Sequence, residues 1–126
     1  MEAFKVIGGK KLSGTIKPQG AKNEALQVIC AVLLTEEKVI IDNIPNIIDV
    51  NRLIDLLKSM GVSIDRINEH KYSFEASSVN LDYLNTEEFE EKAKGLRGSI
   101  MIIGPLLSRF GYASIPKPGG DKIGRR

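Results

Sequence analysis

Two cations stand at the starts of apolar helical runs. Lys22 lies in Gly20-Ala21-Lys22-Asn23, which opens Ala25-Leu26-Gln27-Val28-Ile29-Cys30-Ala31-Val32-Leu33-Leu34, and Arg97 precedes Ile100-Met101-Ile102-Ile103-Gly104-Pro105-Leu106-Leu107. The first turn of a helix carries unpaired N–H groups with partial positive charge, so acidic residues are the usual choice there. A cation in that place is unfavourable unless an anion lies between, and phosphate is the usual such anion. For Lys22 alone a second reading stands, in which its side chain extends into water and Asn23 helps to cap the helix. The repetition at Arg97 favours the anion. A third cationic stretch, Pro116-Lys117-Pro118-Gly119-Gly120-Asp121-Lys122-Ile123-Gly124-Arg125-Arg126, reads as a positively charged loop, with a fraying terminus as the other reading. No Walker A sequence, no G-x-G-x-x-G and no H-E-x-x-H occurs.

The elements that must position these residues follow from periodicity. Phe4–Ile7 and Leu12–Ile16 read as two short strands about the turn 8–11. Positions 25, 26, 29, 32 and 33 recur at the helical period, so a helix over 22–34 is expected in the core. Val39–Ile44 reads as a buried strand stopped by Pro45. Asp49 is expected to cap a helix whose Val50, Leu53, Ile54, Leu57 and Met60 share one face and whose end falls at Gly61. Val62–Ile67 and Lys71–Ala76 alternate and form a hairpin through Asn68-Glu69-His70, with His70 as a solvated turn residue. Thr86 opens the charged helix 87–94, whose acids lead and whose lysines trail. Pro105 is expected to kink the last helix, Gly111 to end it, and Tyr112–Ile115 to form a strand.

At 126 residues the chain can bury a core. Its net charge of +2 is far from the dense basic blocks of a nucleic-acid binder, and a small basic RNA-binding module has thin support because no aromatics interleave with the cations. The single cysteine, Cys30, falls inside an apolar helix and reads as a buried hydrophobe. No apolar run is long enough to cross a bilayer, and Met1–Lys5 does not have the order of a signal peptide, so a cytoplasmic location and no membrane partner are expected. With one histidine and no second ligand beside it, no metal and no cofactor are expected.

Gly20-Ala21-Lys22-Asn23 with its helix, Leu96-Arg97-Gly98-Ser99-Ile100, Gly104-Pro105-Leu106 with Arg109-Phe110-Gly111, and Pro118-Gly119-Gly120-Asp121-Lys122-Ile123-Gly124 occur together in this order. In that order and spacing the chain resembles the UDP-N-acetylglucosamine 1-carboxyvinyltransferases, the enolpyruvyl transferases that open peptidoglycan synthesis. The resemblance implies an α/β (α+β) fold, part of an inside-out α/β barrel in which short strands pack on apolar helices. It implies that residues 1–20 belong mainly to the second domain of a longer enzyme and that 21–126 form an incomplete first domain ending in the catalytic loop. It further implies transfer of the enolpyruvyl group of phosphoenolpyruvate to the 3-hydroxyl of UDP-N-acetylglucosamine, with release of phosphate. Lys22 would neutralise phosphoenolpyruvate, Asn23 and Arg97 would hold the nucleotide sugar, and Arg126 would meet one of these anions. Asp121, where most members carry cysteine, would be the proton donor. An ordinary carboxyl is ionised at neutral pH, so that role requires closure of the site to raise it through desolvation or phosphate charge. A transferase acting on shikimate 3-phosphate is the rival within the superfamily. The 126-residue piece is expected to be inactive alone and to leave an apolar patch that favours self-association.

Overall fold

The computed structural model describes residues 2–117. Asp121 and Arg126 therefore lie outside the described residues. Residues 2–19 take neither helix nor strand, against the expected hairpin. Their apolar side chains stand in solvent: Phe4, Val6, Leu12 and Ile16 are each at least nine-tenths exposed. A two-stranded ribbon with nothing packed on its apolar face is marginal in water, and among the described residues no element covers these side chains.

The ordered body begins at helix α1, Lys22–Ala31, which runs on into the 3-10 helix Val32–Leu34. Ala25, Leu26, Ile29, Val32 and Leu33 are all buried, as the helical period requires, and Cys30 joins them. Strand β1, Val39–Ile41, is followed by helix α2, Ile48–Ser59, then strands β2, Ser63–Asn68, and β3, Lys71–Glu75. The sheet is antiparallel in the order β1-β3-β2, with Val39 opposite Phe74 and Ile64 opposite Phe74 on the other side. The expected buried strand 39–44 is thus a short edge strand, and Ile40 faces solvent. The centre belongs to β3, whose Phe74 is fully buried.

Helix α2 buries Val50, Leu53, Ile54 and Leu57, followed by Met60, and so provides the middle of the core. It stops where Gly61 takes φ +98°, a conformation that side-chain-bearing residues avoid; a Cβ there would also collide with the Ser78 carbonyl. Helix α3, Glu87–Lys94, is capped by the Thr86 hydroxyl, which accepts from Phe89 N at 3.2 Å. A 3-10 helix, Arg97–Ile102, leads into α4, Ile103–Phe110. Pro105 does not kink a continuous helix, because it falls within the first turn of α4, where proline is tolerated. Residues 112–115 form no strand.

Two polar clasps close the body. The His70 ring is not simply solvated: its Nδ1 donates to the Ile44 carbonyl at 2.9 Å, while Ile44 N donates to the His70 carbonyl at 2.8 Å. This joins the hairpin turn to the segment entering α2. On the other side the Arg109 guanidinium, 13% exposed, donates to the carbonyls of Ala76 at 2.8 Å, Leu33 at 3.0 Å and Thr35 at 3.1 Å. One side chain thus ties α4 to the end of α1 and to the end of the sheet, satisfying three carbonyls that no helix or strand ladder uses. Hydrogen bonds from a charged donor contribute about 1.5–3 kcal/mol each. Arg109→Leu should therefore lower unfolding stability by about 3 kcal/mol or more in urea titrations, whereas Glu36→Gln, at an exposed partner of Arg109, should change it by under about 0.5 kcal/mol. Equal effects of the two substitutions would contradict the clasp.

Candidate functional site

The start of α1 is fixed by a close approach of backbones. Gly20 lies so near the Asn43 carbonyl that a Cβ there would collide with it, and Pro45 Cδ would be 3.2 Å away. Asn43 itself takes φ +59°, and its N–H donates to the Asp42 carboxylate at 2.7 Å. That bond, with Lys71 as a further contributor, holds the Asp42 carboxyl below the usual carboxylate range. This turn sets where α1 begins and hence where Lys22, its first residue, emerges.

Lys22 and Arg97 share one open cleft of about 770 Å³, a size suited to a small-molecule ligand. Helix α1 contributes Lys22, Asn23 and Gln27, α2 contributes Asp49 and Arg52, and the exit of α3 contributes Lys94, Gly95 and Arg97. Among the described residues, four cations and a single carboxylate therefore line it. Asn23 does not cap α1; the N-cap is Ala21, which supplies no side-chain bond, and Asn23 lies within the helix at the cleft. Nor does Asp49 cap α2. The N-cap is Ile47, again without a side-chain bond, and Asp49 sits in the first turn with its carboxylate on the Lys22 ammonium. An apolar residue at N-cap leaves Asp49 to favour the positive end of α2 by charge instead of by a capping bond.

Packing brings the Arg97 segment to α1. Gly98 lies on Leu26, so closely that a Cβ would stand 3.1 Å from its Cδ1. Ser99, fully buried, donates through its hydroxyl to the Ala93 carbonyl at 3.0 Å and anchors the segment to the last turn of α3. Arg52 Nη1 reaches the Gly95 carbonyl at 3.4 Å from the α2 side.

Sequence reasoning missed Arg52 and Lys94 as cleft residues. Arg52 had a readable signal, because it follows Asp49 at i+3 and so shares its helix face. Lys94 had none, since it pairs with Glu90 on its own helix and looks like any solvated charge.

Cys30 plays no part in the cleft. Burial pushes its thiol up to about 12, so no thiolate forms near neutrality. Iodoacetamide at about pH 8 should leave the native chain unlabelled and modify Cys30 once the chain is unfolded; rapid labelling of the native protein would show that α1 is not packed as described. Among the described residues no set of three His, Cys, Asp or Glu gathers as a metal site, and no helix is long and apolar enough to cross a membrane.

Comparison with known proteins follows the same outline. The enolpyruvyl transferase NikO from Streptomyces tendae superposes on 82% of this chain and 23% of its own with a TM-score of 0.66 at 23% identity. The fold is therefore that of the enolpyruvyl transferases. A family model for EPSP synthase (3-phosphoshikimate 1-carboxyvinyltransferase) matches residues 6–126, and the chain belongs to that family. Among curated proteins it is 57% identical over all 126 residues to a UDP-N-acetylglucosamine 1-carboxyvinyltransferase of Porphyromonas gingivalis, covering 29% of that protein. A protein of the same name from Bacteroides fragilis is 56% identical over the same length and share, and one from Prochlorococcus marinus is 43% identical over 123 residues, 98% of this chain and 26% of its own length. The chain thus spans under a third of the length of these relatives.

Proposed function

We propose that this chain supplies one wall of the site of a UDP-N-acetylglucosamine 1-carboxyvinyltransferase, an enzyme that moves the enolpyruvyl group of phosphoenolpyruvate to the sugar 3-hydroxyl and releases phosphate. The observation that carries the reading is the shared cleft of Lys22, Asn23 and Arg97 on a chain more than half identical to relatives of that name. Both substrates are phosphate-bearing anions, and a hollow lined by Lys22, Arg52, Lys94 and Arg97 is a place where such charges settle. In this reading Lys22 neutralises phosphoenolpyruvate, while Asn23 and Arg97 hold the nucleotide sugar. Arg126 meets one of the anions, and Asp121 delivers the proton to the vinyl carbon as the hydroxyl adds. The product would enter peptidoglycan synthesis, and with it cell-wall growth, in the cytoplasm.

One wall does not make an enclosed site. Val28 on α1, Ile100 and Met101 before α4, and Leu107 on α4 are each at least two-fifths exposed. We assign this apolar surface, and the extended residues 2–19, to contacts with the remainder of a longer enzyme, or to self-association where that remainder is missing. A shikimate 3-phosphate acceptor is the second reading, favoured by the name of the family model. The identity of 56–57% over the whole chain to nucleotide-sugar enzymes stands against it.

The test is a chimera in which residues 1–126 replace the matching stretch of the Porphyromonas gingivalis relative. It should release phosphate from phosphoenolpyruvate with UDP-N-acetylglucosamine and not with shikimate 3-phosphate, while the 126-residue chain alone shows no turnover. Lys22→Met and Arg97→Met should each lower kcat/KM by about 100-fold or more, the usual loss when a positioned charge is removed from a reacting centre. Full activity of both variants would refute the assigned roles.

Asp121 generates a second expectation. An epoxide antibiotic of the fosfomycin type alkylates a thiolate, and a carboxylate is a much poorer nucleophile toward it. The chimera should stay active and unmodified at Asp121 by mass spectrometry, whereas Asp121→Cys should acquire the adduct. An adduct on Asp121 would contradict this.

A further inference from the structure

Lys22 emerges from the start of α1, where the peptide N–H groups disfavour a cation, and Asp49 lies in the first turn of α2, where they favour an anion. Neither N-cap, Ala21 or Ile47, provides a side-chain bond. The Lys22–Asp49 ion pair therefore sits between two positively polarised helix ends, and Asp49 is the one carboxylate lining the cleft among the described residues. Two of the other cations have different attachments: Lys94 pairs with Glu90 along α3, and Arg52 reaches the Gly95 carbonyl. Among the described residues, Lys22 is the cleft cation within salt-bridge distance of Asp49.

We infer that Asp49 is an internal stand-in for the substrate's anion, holding the Lys22 ammonium until a phosphate-bearing ligand takes it over and competing with that ligand for it. The inference rests on the reading that Lys22 receives a substrate anion. The exchange is possible because each partner stays compensated. Lys22 trades one anion for another, while Asp49 keeps the positive end of α2 beside it and, at 37% exposure, its access to water. A side-chain pair this exposed is weak, so a dianion can displace it. The same pairing holds the lysine over the cleft in advance, which spares the ligand the ordering of a long side chain. It also makes the hold on phosphate looser than four cations would otherwise give, which suits a site that must release phosphate as a product. Asp49 is thus a positioning residue that sets the strength of anion capture.

The test is titration of the isotopically labelled 126-residue chain with inorganic phosphate at constant ionic strength, read from the backbone amide resonances of Lys22 and Asn23. Asp49→Asn, which keeps the shape and drops the charge, should bind phosphate roughly threefold to fivefold more tightly than the unaltered chain, the scale set by an exposed ion pair. In a Lys22→Gln background the same substitution should give no gain, because the competition passes through the ammonium. Unchanged or weaker binding by Asp49→Asn would overturn the inference while leaving the anion site in place. So would an equal gain in the Lys22→Gln background, which would mark a general field effect. If phosphate moves no Lys22 or Asn23 resonance in any variant, the assignment of Lys22 as an anion receptor fails, and the inference with it. A thermal melt of each variant separates these outcomes from a loss of folding.

Discussion

The contact of Gly98 with Leu26 is the constraint on which the cleft depends. Four cations do not gather round one hollow of their own accord; their mutual repulsion must be outweighed by interactions formed elsewhere. Here the apolar side of α1 supplies them. Leu26 and Ile29 are buried against the body, and the backbone of residues 97–98 comes down closely onto Leu26, where a Cβ at residue 98 would stand 3.1 Å from Leu26 Cδ1. Ser99 locks that descent to the α3 carbonyl of Ala93. Hydrophobic burial of one helix face thereby determines where charges on its first turn and on a neighbouring segment meet.

Local partners then reduce the repulsion without hiding the charge. Lys22 leans on Asp49, Lys94 on Glu90 and Arg52 on a backbone carbonyl. Each of these attachments lies at a solvent-facing position, where an ion pair contributes little and is readily exchanged. The largely covered guanidinium of Arg109, 13% exposed, has the opposite character. Its three carbonyl partners lie at the end of α1 and the end of the sheet, away from the cleft lining, so it serves the fold and not the cleft. The same residue type works as a clasp on one side of the molecule and as part of an anion hollow on the other, and burial decides which.

The amphipathic elements were legible in the sequence because their periodicity is enforced by the core. The faces of α1 and α2, the cap at Thr86, the hairpin about 68–70 and the end of α2 at Gly61 all followed from local rules. What failed needed information from outside the segment. Phe4–Ile7 and Leu12–Ile16 alternate as strands should, yet nothing in the described body covers them. Among the described residues Tyr112–Ile115 likewise has no strand to pair with. Asp49 looked like a cap because its type and place fit one, but the helix begins a residue earlier and the carboxylate serves Lys22. For the site, the misplacement of cations at helix starts was the readable signal. Arg52 escaped it because an arginine on the wet face of an amphipathic helix is ordinarily just solvated; its i+3 spacing from Asp49 was a weak signal, and the tertiary approach of Gly95 is what marks it out.

The central claim is that Lys22 and Arg97 form the two sides of one receptor for a phosphate-bearing metabolite. A crystal structure of the chain soaked with UDP-N-acetylglucosamine tests it most directly. Density for the diphosphate is expected in the hollow between α1 and the Arg97 segment, within hydrogen-bond distance of the guanidinium and against Asn23. Well-ordered ligand density elsewhere on the surface, with that hollow holding only solvent, would contradict it.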